Sequence, residues 1–420
     1  MSQKASSQTA LARGAESAKR DRRYVLRSAA LAVTLACGVA GTWAQTNTKP
    51  FQIALMNDMS GPVKDMSGPG SALAAQMAIE DFGGKVLGRK IELLTGDQLN
   101  KVDTGLALAR QWYDTGVPAI FDIGISSLAI AMQELAKEKN KLAIFTSSAS
   151  AELTTKYCGP NGIQWVYNAY PMEKAVIEGV TKAGAKTWYF ITVDYSFGHA
   201  VQKDGEAMIA KLGGKVLGST THAYNATDYS SQLLQAQASG ADAIALATTS
   251  FAAPGFIKQA KEFGIKATVA PLSFMMSDIK GLGLEDGQGL FVGEPYYWDR
   301  DDASRKFAMR FKDRFGGKMP NFIHVGTYSA VNHYLKSVAA AGTDDTAKVL
   351  AKMKSLPIND LITKNGSIRA DGQVLHDFYV FKVKKPSESK SEWDMFTQVG
   401  TVAGKDAFRA PDPELCKLVK

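Results

Sequence analysis

The chain's 420 residues and 45% apolar content suffice for two or three domains with sizeable cores, and a charged fraction of 21% argues against long disorder. The formal charge of +8 is concentrated at the start: residues 1–44 hold seven Lys/Arg and two Asp/Glu, leaving 42 basic against 39 acidic side chains beyond them. That residual +3 is too mild for an electrostatic nucleic-acid binder.

The first element is a targeting segment. Basic residues from Lys19 to Arg27 precede an Ala-rich apolar run, Ser28–Ala40, and Thr42-Trp43-Ala44 is a small-x-small pattern that predicts cleavage after Ala44. Asp21-Arg22-Arg23-Tyr24-Val25-Leu26-Arg27 has the form of a twin-arginine export signal. The apolar run is too short to span a bilayer comfortably, so an exported, soluble mature protein is expected. Two cysteines then remain, Cys158 and Cys416. In an oxidising compartment they are a disulfide candidate, with two free buried thiols as the alternative.

From residue 51 apolar runs alternate with amphipathic helical patterns, which predicts an α/β fold with parallel sheets. The strand-like runs are Phe51–Met56, Ile91–Leu94, Ala119–Ile123, Leu142–Phe145, Trp188–Val193, Ala243–Ala247, Thr268–Leu272 and Leu290–Val292. Helical patterns include Ser71–Phe82, Thr104–Asp114, Leu128–Lys139 and Gly198–Leu212, and later Tyr229–Ala238, Pro254–Phe263, Ala303–Phe315, Val325–Ala341 and Thr346–Ser355. The hexapeptide Gly-Gly-Lys-Val-Leu-Gly occurs at 83–88 and again at 213–218, each time after a strand–loop–helix pattern. This predicts two lobes of similar build; a simple pair of glycine helix ends is the competing reading. Towards the end, Asn365-Gly366 and Asp371-Gly372 are turn dipeptides, and His376–Val383 with Trp393–Val399 reads as an antiparallel hairpin.

In open α/β sheets ligands lie beyond the carboxyl ends of the strands, so the loops there hold the candidate site. The first-lobe loops carry Met59 and Ser60, then Ser126 and Ser127, then Ser147, Ser148 and Ala149. Hydroxyls beside the open N–H groups of a helix start can hold an anion such as a carboxylate without fixed positive charge. Ordinary N-capping by serine is the competing reading. The second-lobe loops carry Tyr195, Phe197 and Phe251, joined by Tyr297 near a crossover; such rings suit an apolar or aromatic ligand body, or plain core packing. Enzyme signatures are missing. The five histidines show no zinc spacing, and there is no Gly-x-Ser-x-Gly elbow and no Gly-Lys-Ser/Thr phosphate loop. No catalytic residue, metal or cofactor is expected.

Five segments together carry a family resemblance: Ile53–Pro62, Gly124–Ser127, Leu142–Thr154, Val193–Gly198 and Phe256–Gly264. On these the chain resembles the type I periplasmic substrate-binding proteins of ABC importers, in particular the Leu/Ile/Val-binding group. The resemblance implies two Rossmann-like lobes joined by a three-strand hinge: 50–170 and 296–355 in one, 171–295 and 356–420 in the other. It implies a periplasmic, non-enzymatic, monomeric protein that closes on a ligand and delivers it to a membrane permease; a ligand-sensing subunit of a receptor is the alternative. It places the ligand carboxylate on the Ser126/Ser127 and Ser147–Ala149 loops and a closing contact on Tyr195. One departure matters. Amino-acid binders carry a Glu after the proline that ends a second-lobe strand, whereas here the stretch is Ala270-Pro271-Leu272-Ser273-Phe274. A buried ammonium without a carboxylate is costly, so the expected ligand is a small carboxylate without an amino group, aromatic or branched, with Ser273 in the site. Segments such as Tyr297-Trp298-Asp299 resemble members associated with aromatic-acid uptake. Branched-chain amino-acid binding is the alternative.

Overall fold

Two α/β lobes, each on its own sheet, make up the computed structural model, which describes residues 49–61 and 63–420. The expected leader and its cleavage after Ala44 fall outside the described residues. In the first lobe, β1 (Phe51–Asn57) leads to α1 (Gly68–Phe82), the short β2 (Lys85–Val86), β3 (Arg89–Asp97), α2 (Val102–Asp114) and β4 (Ala119–Asp122). Then come α3 (Ser126–Glu138), β5 (Leu142–Phe145) and β6 (Gly162–Gln164). The sheet order is β2-β3-β1-β4-β5-β6, parallel except for β2. β4 and β5 are buried along their whole length, as expected of parallel strands covered on both faces.

The chain crosses to the second lobe through residues 165–168. There α4 (Ala169–Lys182), β7 (Thr187–Val193), α5 (Ser196–Lys211), β8 (Lys215–His222), α6 (Ser230–Ala238), β9 (Ala243–Ala247), α7 (Ala253–Glu262) and β10 (Thr268–Pro271) follow in turn. The parallel sheet has the order β10-β9-β7-β8. After α8 (Met276–Leu282), α9 (Leu284–Gly287) and β11 (Phe291–Glu294), the chain supplies α10 (Asp302–Arg314), α11 (Phe322–Ala341) and α12 (Thr346–Ser355). α11 packs along α1 in the first lobe, and α10 is tied to α1 by Arg310–Asp81 and Arg314–Glu80 ion pairs. β12 (Ser367–Ile368) and β13 (Val374–Leu375) form a small hairpin, and β14 (Phe378–Val383), β15 (Phe396–Val402) and α13 (Gly404–Ala407) end the fold.

One expectation of the sheet pattern needs correction. The run Leu290–Val292 does not extend the parallel sheet. As β11 it pairs antiparallel with β14, in a three-stranded sheet β11-β14-β15. β8 runs from Lys215 to His222 as an edge strand, its side chains alternating between exposed and half-buried up to the buried His222. β6 has three residues, too few to show a period.

The repeated hexapeptide takes two conformations. In both copies the helix ends on a left-handed glycine, Gly83 at φ 102° and Gly213 at φ 78°. The first copy then turns at Leu87 and Gly88, also left-handed, so that Lys85–Val86 folds back antiparallel on Arg89–Lys90. The second runs straight into β8, parallel to β7.

Cys158 and Cys416 are bonded, with their Cα atoms 5.8 Å apart and a sequence separation of 258. The bond fastens the C-terminal tail beside β6, and Cys416 is fully buried. Closing so long a loop is expected to contribute about 2–4 kcal/mol. A Cys158→Ser/Cys416→Ser variant should therefore melt several degrees lower, and reductant should lower the wild-type transition to match. Equal melting of wild type and variant without reductant would remove the bond from the account of stability.

Candidate functional site

At the carboxyl edge of the first sheet, polar side chains replace the apolar ones of the strands. Asn57 ends β1 fully buried; its Nδ2 donates to Ser147 Oγ at 2.8 Å, and its Oδ1 accepts the Asp58 N–H at 2.7 Å. Asp58 organises the next loop, accepting from Gly61 N at 2.6 Å, Val63 N at 3.0 Å and Asn100 Nδ2 at 2.8 Å. Asp97, at the end of β3, accepts from Met59 N at 3.2 Å and from Ser60 Oγ at 2.6 Å. Burial alone would raise the Asp97 carboxyl, but the hydrogen bonds from Ser60 and from the Leu99 and Met59 backbone outweigh it and hold the group below its usual range. Ser60 is thus an exposed serine already engaged with Asp97, and Met59 is half-buried beside it.

The end of β4 is strained. Asp122 and Ile123 both adopt left-handed backbone, at φ 79° and 59°, a conformation costly for a β-branched residue. Asp122 is fully buried, and that burial pushes its carboxyl up; Thr146 Oγ1 donates to it at 2.9 Å. This bend leads through Gly124 into α3. Ser126 and Ser127 do not precede that helix as expected: they are its first two residues, with Ile125 as N-cap and no side-chain cap bond. Both are exposed. Because the first intrahelical bond runs from Ala129 N to Ile125 O, the N–H groups of Ser126 to Leu128 stay open, and the helix dipole favours negative charge there.

The loop after β5 completes this edge. Ser147 and Ser148 are buried and Ala149 half-buried. Ser148 Oγ has no partner within the protein. The loop is wired to the first crossover: Tyr167 OH donates to Ser147 O at 2.8 Å, Gln164 Nε2 to Ser148 O at 3.2 Å, and Ala169 N to Ala149 O at 3.0 Å.

The carboxyl edge of the second sheet is aromatic instead. Tyr195, the N-cap of α5, is 37% exposed, and Phe251, after β9, is 61% exposed. Phe197 stacks on Tyr195 with centroids 5.9 Å apart. Ser273, after β10, is half-buried with an unpartnered hydroxyl. Tyr297 is not brought to this group. It is buried against Phe381 and Phe396, and its hydroxyl donates to Trp393 O at 2.9 Å while accepting from Met395 N at 3.0 Å. Its ring and hydroxyl are both engaged in the core of the antiparallel sheet. Leu272, at the place of the missing acid, is fully buried. Two acids cap the start of α8: Asp278, six positions after Leu272, accepts from Met275 N at 2.9 Å, and the buried Glu294 accepts from Met276 N at 2.5 Å. Burial raises these carboxyls to about 6 and about 8.

Several residues of this region are not legible in the sequence. Asn57, Asp122 and Tyr167 act through partners 20 to 90 positions away. Tyr224 could have been found: it follows β8, and reading that strand through to His222 places it at a strand end like Tyr195. Among the described residues no group of three or more His, Cys, Asp or Glu could hold a metal ion, and no helix is long and apolar enough to cross a membrane.

The profile of the family described as periplasmic binding protein matches residues 50–390. A periplasmic binding protein from Burkholderia mallei is 40% identical in sequence, with TM-score 0.80, covering 88% of this chain and 99% of that one. A Burkholderia xenovorans structure, described as a branched chain amino acid ABC transporter periplasmic ligand-binding protein, is 36% identical with TM-score 0.82, covering 85% and 96%. The Brucella melitensis protein named Leu/Ile/Val-binding protein homolog 7 is 26% identical over 252 residues, 56% of this chain and 61% of its own length. The match to that curated relative thus spans less than two thirds of it. With two parallel-sheet lobes, the loops at their carboxyl edges and a family profile matched over most of its length, the chain belongs to the periplasmic binding protein family.

Proposed function

We propose that the protein captures a small carboxylate, aromatic or branched, between its two lobes by hinge closure, and delivers it to the membrane permease of an ABC importer from the periplasm. The hinge would join a lobe of residues 50–170 and 296–355 to one of 171–295 and 356–420, with residues 1–44 removed on export. One observation carries the reading: the two carboxyl edges are chemically opposite. The first offers open N–H groups at Ser126 to Leu128 and the unpartnered Ser148 hydroxyl, which suit an anion of modest charge density. The second offers exposed rings at Tyr195 and Phe251, which suit a flat apolar body. The Burkholderia xenovorans relative, described as part of an ABC transporter, supports the importer role.

Leu272, buried where an ammonium partner would be needed, favours a ligand without an amino group. A second reading, a branched-chain amino acid, draws on Asp278, whose carboxyl at the start of α8 follows the same β10 loop as Ser273. Calorimetric titration of the mature protein with benzoate and with leucine separates them. Benzoate binding at micromolar or tighter affinity with no heat from leucine is expected; tight leucine binding, weakened by Asp278→Asn, would replace the first reading by the second.

A further inference from the structure

The second-lobe edge holds one more ring than the three aromatic side chains already placed there. Tyr224, in the loop after β8, is 53% exposed. It meets Tyr195 edge-on with centroids 5.5 Å apart and Phe251 edge-on at 5.2 Å. Phe197, Tyr195, Tyr224 and Phe251 therefore form one continuous row across the ends of β7, β8 and β9, which are neighbours in the parallel sheet. Single exposed apolar residues are common, but a contiguous row of rings left in water marks a binding surface. The row also has a polar side: among the described residues neither the Tyr195 nor the Tyr224 hydroxyl has a hydrogen-bond partner. Other tyrosines near this face are satisfied or packed away; Tyr229 donates to Ala226 O at 2.7 Å and stacks on Phe256.

We propose that Tyr224 is a ligand-contacting residue of the second lobe, and that its free hydroxyl, beside that of Tyr195, selects aryl acids whose ring bears a hydrogen-bonding substituent. This rests on the reading above that the cleft takes a small carboxylate. With the carboxylate on the first-lobe loops, the far end of the ring meets the row. A ring substituent that donates or accepts a hydrogen bond pairs there with a phenol, whereas an unsubstituted ring leaves the phenol to water. Tyr195 contributes the neighbouring hydroxyl, and Phe197 and Phe251 contribute apolar area only.

The test is titration of benzoate and 4-hydroxybenzoate into wild type, Tyr224→Phe and Tyr224→Ala, with Phe251→Ala in parallel. Tyr224→Ala is expected to weaken both acids about tenfold, and Tyr224→Phe to weaken only 4-hydroxybenzoate, by about five- to tenfold, the scale of one uncharged hydrogen bond. Because Tyr224 is largely exposed, the variants should melt with the wild type, so a loss of affinity cannot be a loss of fold. Unchanged affinities in both Tyr224 variants while Phe251→Ala binds more weakly would overturn the proposal and leave the carboxylate reading standing. Equal weakening of both acids by Tyr224→Phe would overturn the selectivity. Wild-type protein that takes neither acid would overturn the carboxylate reading and this proposal with it.

Discussion

Replacing Gly124 by alanine is expected to cost the protein its ligand, with affinity falling about tenfold or more, while the chain still folds. A Cβ on Gly124 would lie 2.5 Å from Asn57 Oδ1 and 3.0 Å from Gln98 Nε2. Asn57 cannot swing aside cheaply: it is fully buried, and its carboxamide bonds both Ser147 Oγ and the Asp58 N–H. Moving it shifts the Ser147–Ser148 loop on one side and the Asp58-organised loop on the other. Overpacking of this kind costs about 1–3 kcal/mol of stability, well short of unfolding a two-lobed protein of this size. The check is paired: calorimetry with whichever ligand the wild type binds, and denaturant unfolding of the same sample. An unchanged dissociation constant in a variant destabilised by the expected amount would detach this floor from binding.

The second large effect concerns pH. Glu294 lies fully buried at the end of β11, where burial raises its carboxyl from 4.5 to about 8, with the nearby Asp278 charge adding to the rise and the Met276 N–H opposing it. The folded protein therefore keeps this proton at pH values where the unfolded chain has released it. Between about 4.5 and about 8 the unfolded state binds fewer protons, so stability falls as pH rises across that window; it is fully present below the unfolded value. Asp278, raised from 3.8 to about 6 by burial, acts in the same direction over a narrower range. The total is of the order of a few kcal/mol. Glu294→Gln keeps an acceptor for Met276 N and removes the titration. It should match the wild type near pH 5 and exceed it in denaturant midpoint at pH 8. Parallel stability–pH curves for the two proteins would show that Glu294 is not the group responsible.

How much of this was legible depended on how far each signal had to travel along the chain. The strands covered on both faces, β1, β4, β5, β7 and β9, are continuous apolar runs in the sequence because each residue must leave water. The edge strand β8 alternates with polar residues, and β6 is short, so neither announces its true length. That shortfall hid Tyr224, whose place becomes visible only once β8 ends at His222. Tyr297 failed for another reason. An aromatic cluster at a crossover has no periodicity to say which ring is core, and its hydroxyl partner, Trp393 O, lies 96 positions away.

By itself the sequence determined the class of the fold, the loops where chemistry gathers and the two cysteines free to pair, because burial patterns and residue types are local properties of the chain. The tertiary structure alone decided which of the serines remain available. Ser60 is engaged by Asp97, 37 positions on, and Ser147 by Asn57, 90 positions back, whereas Ser148 has no partner in the protein. It also decided that one hexapeptide turns back at Leu87–Gly88 while its twin extends into β8. A hydroxyl's availability and a turn's direction depend on neighbours brought in from other strands, and those neighbours exist only once the sheets have formed.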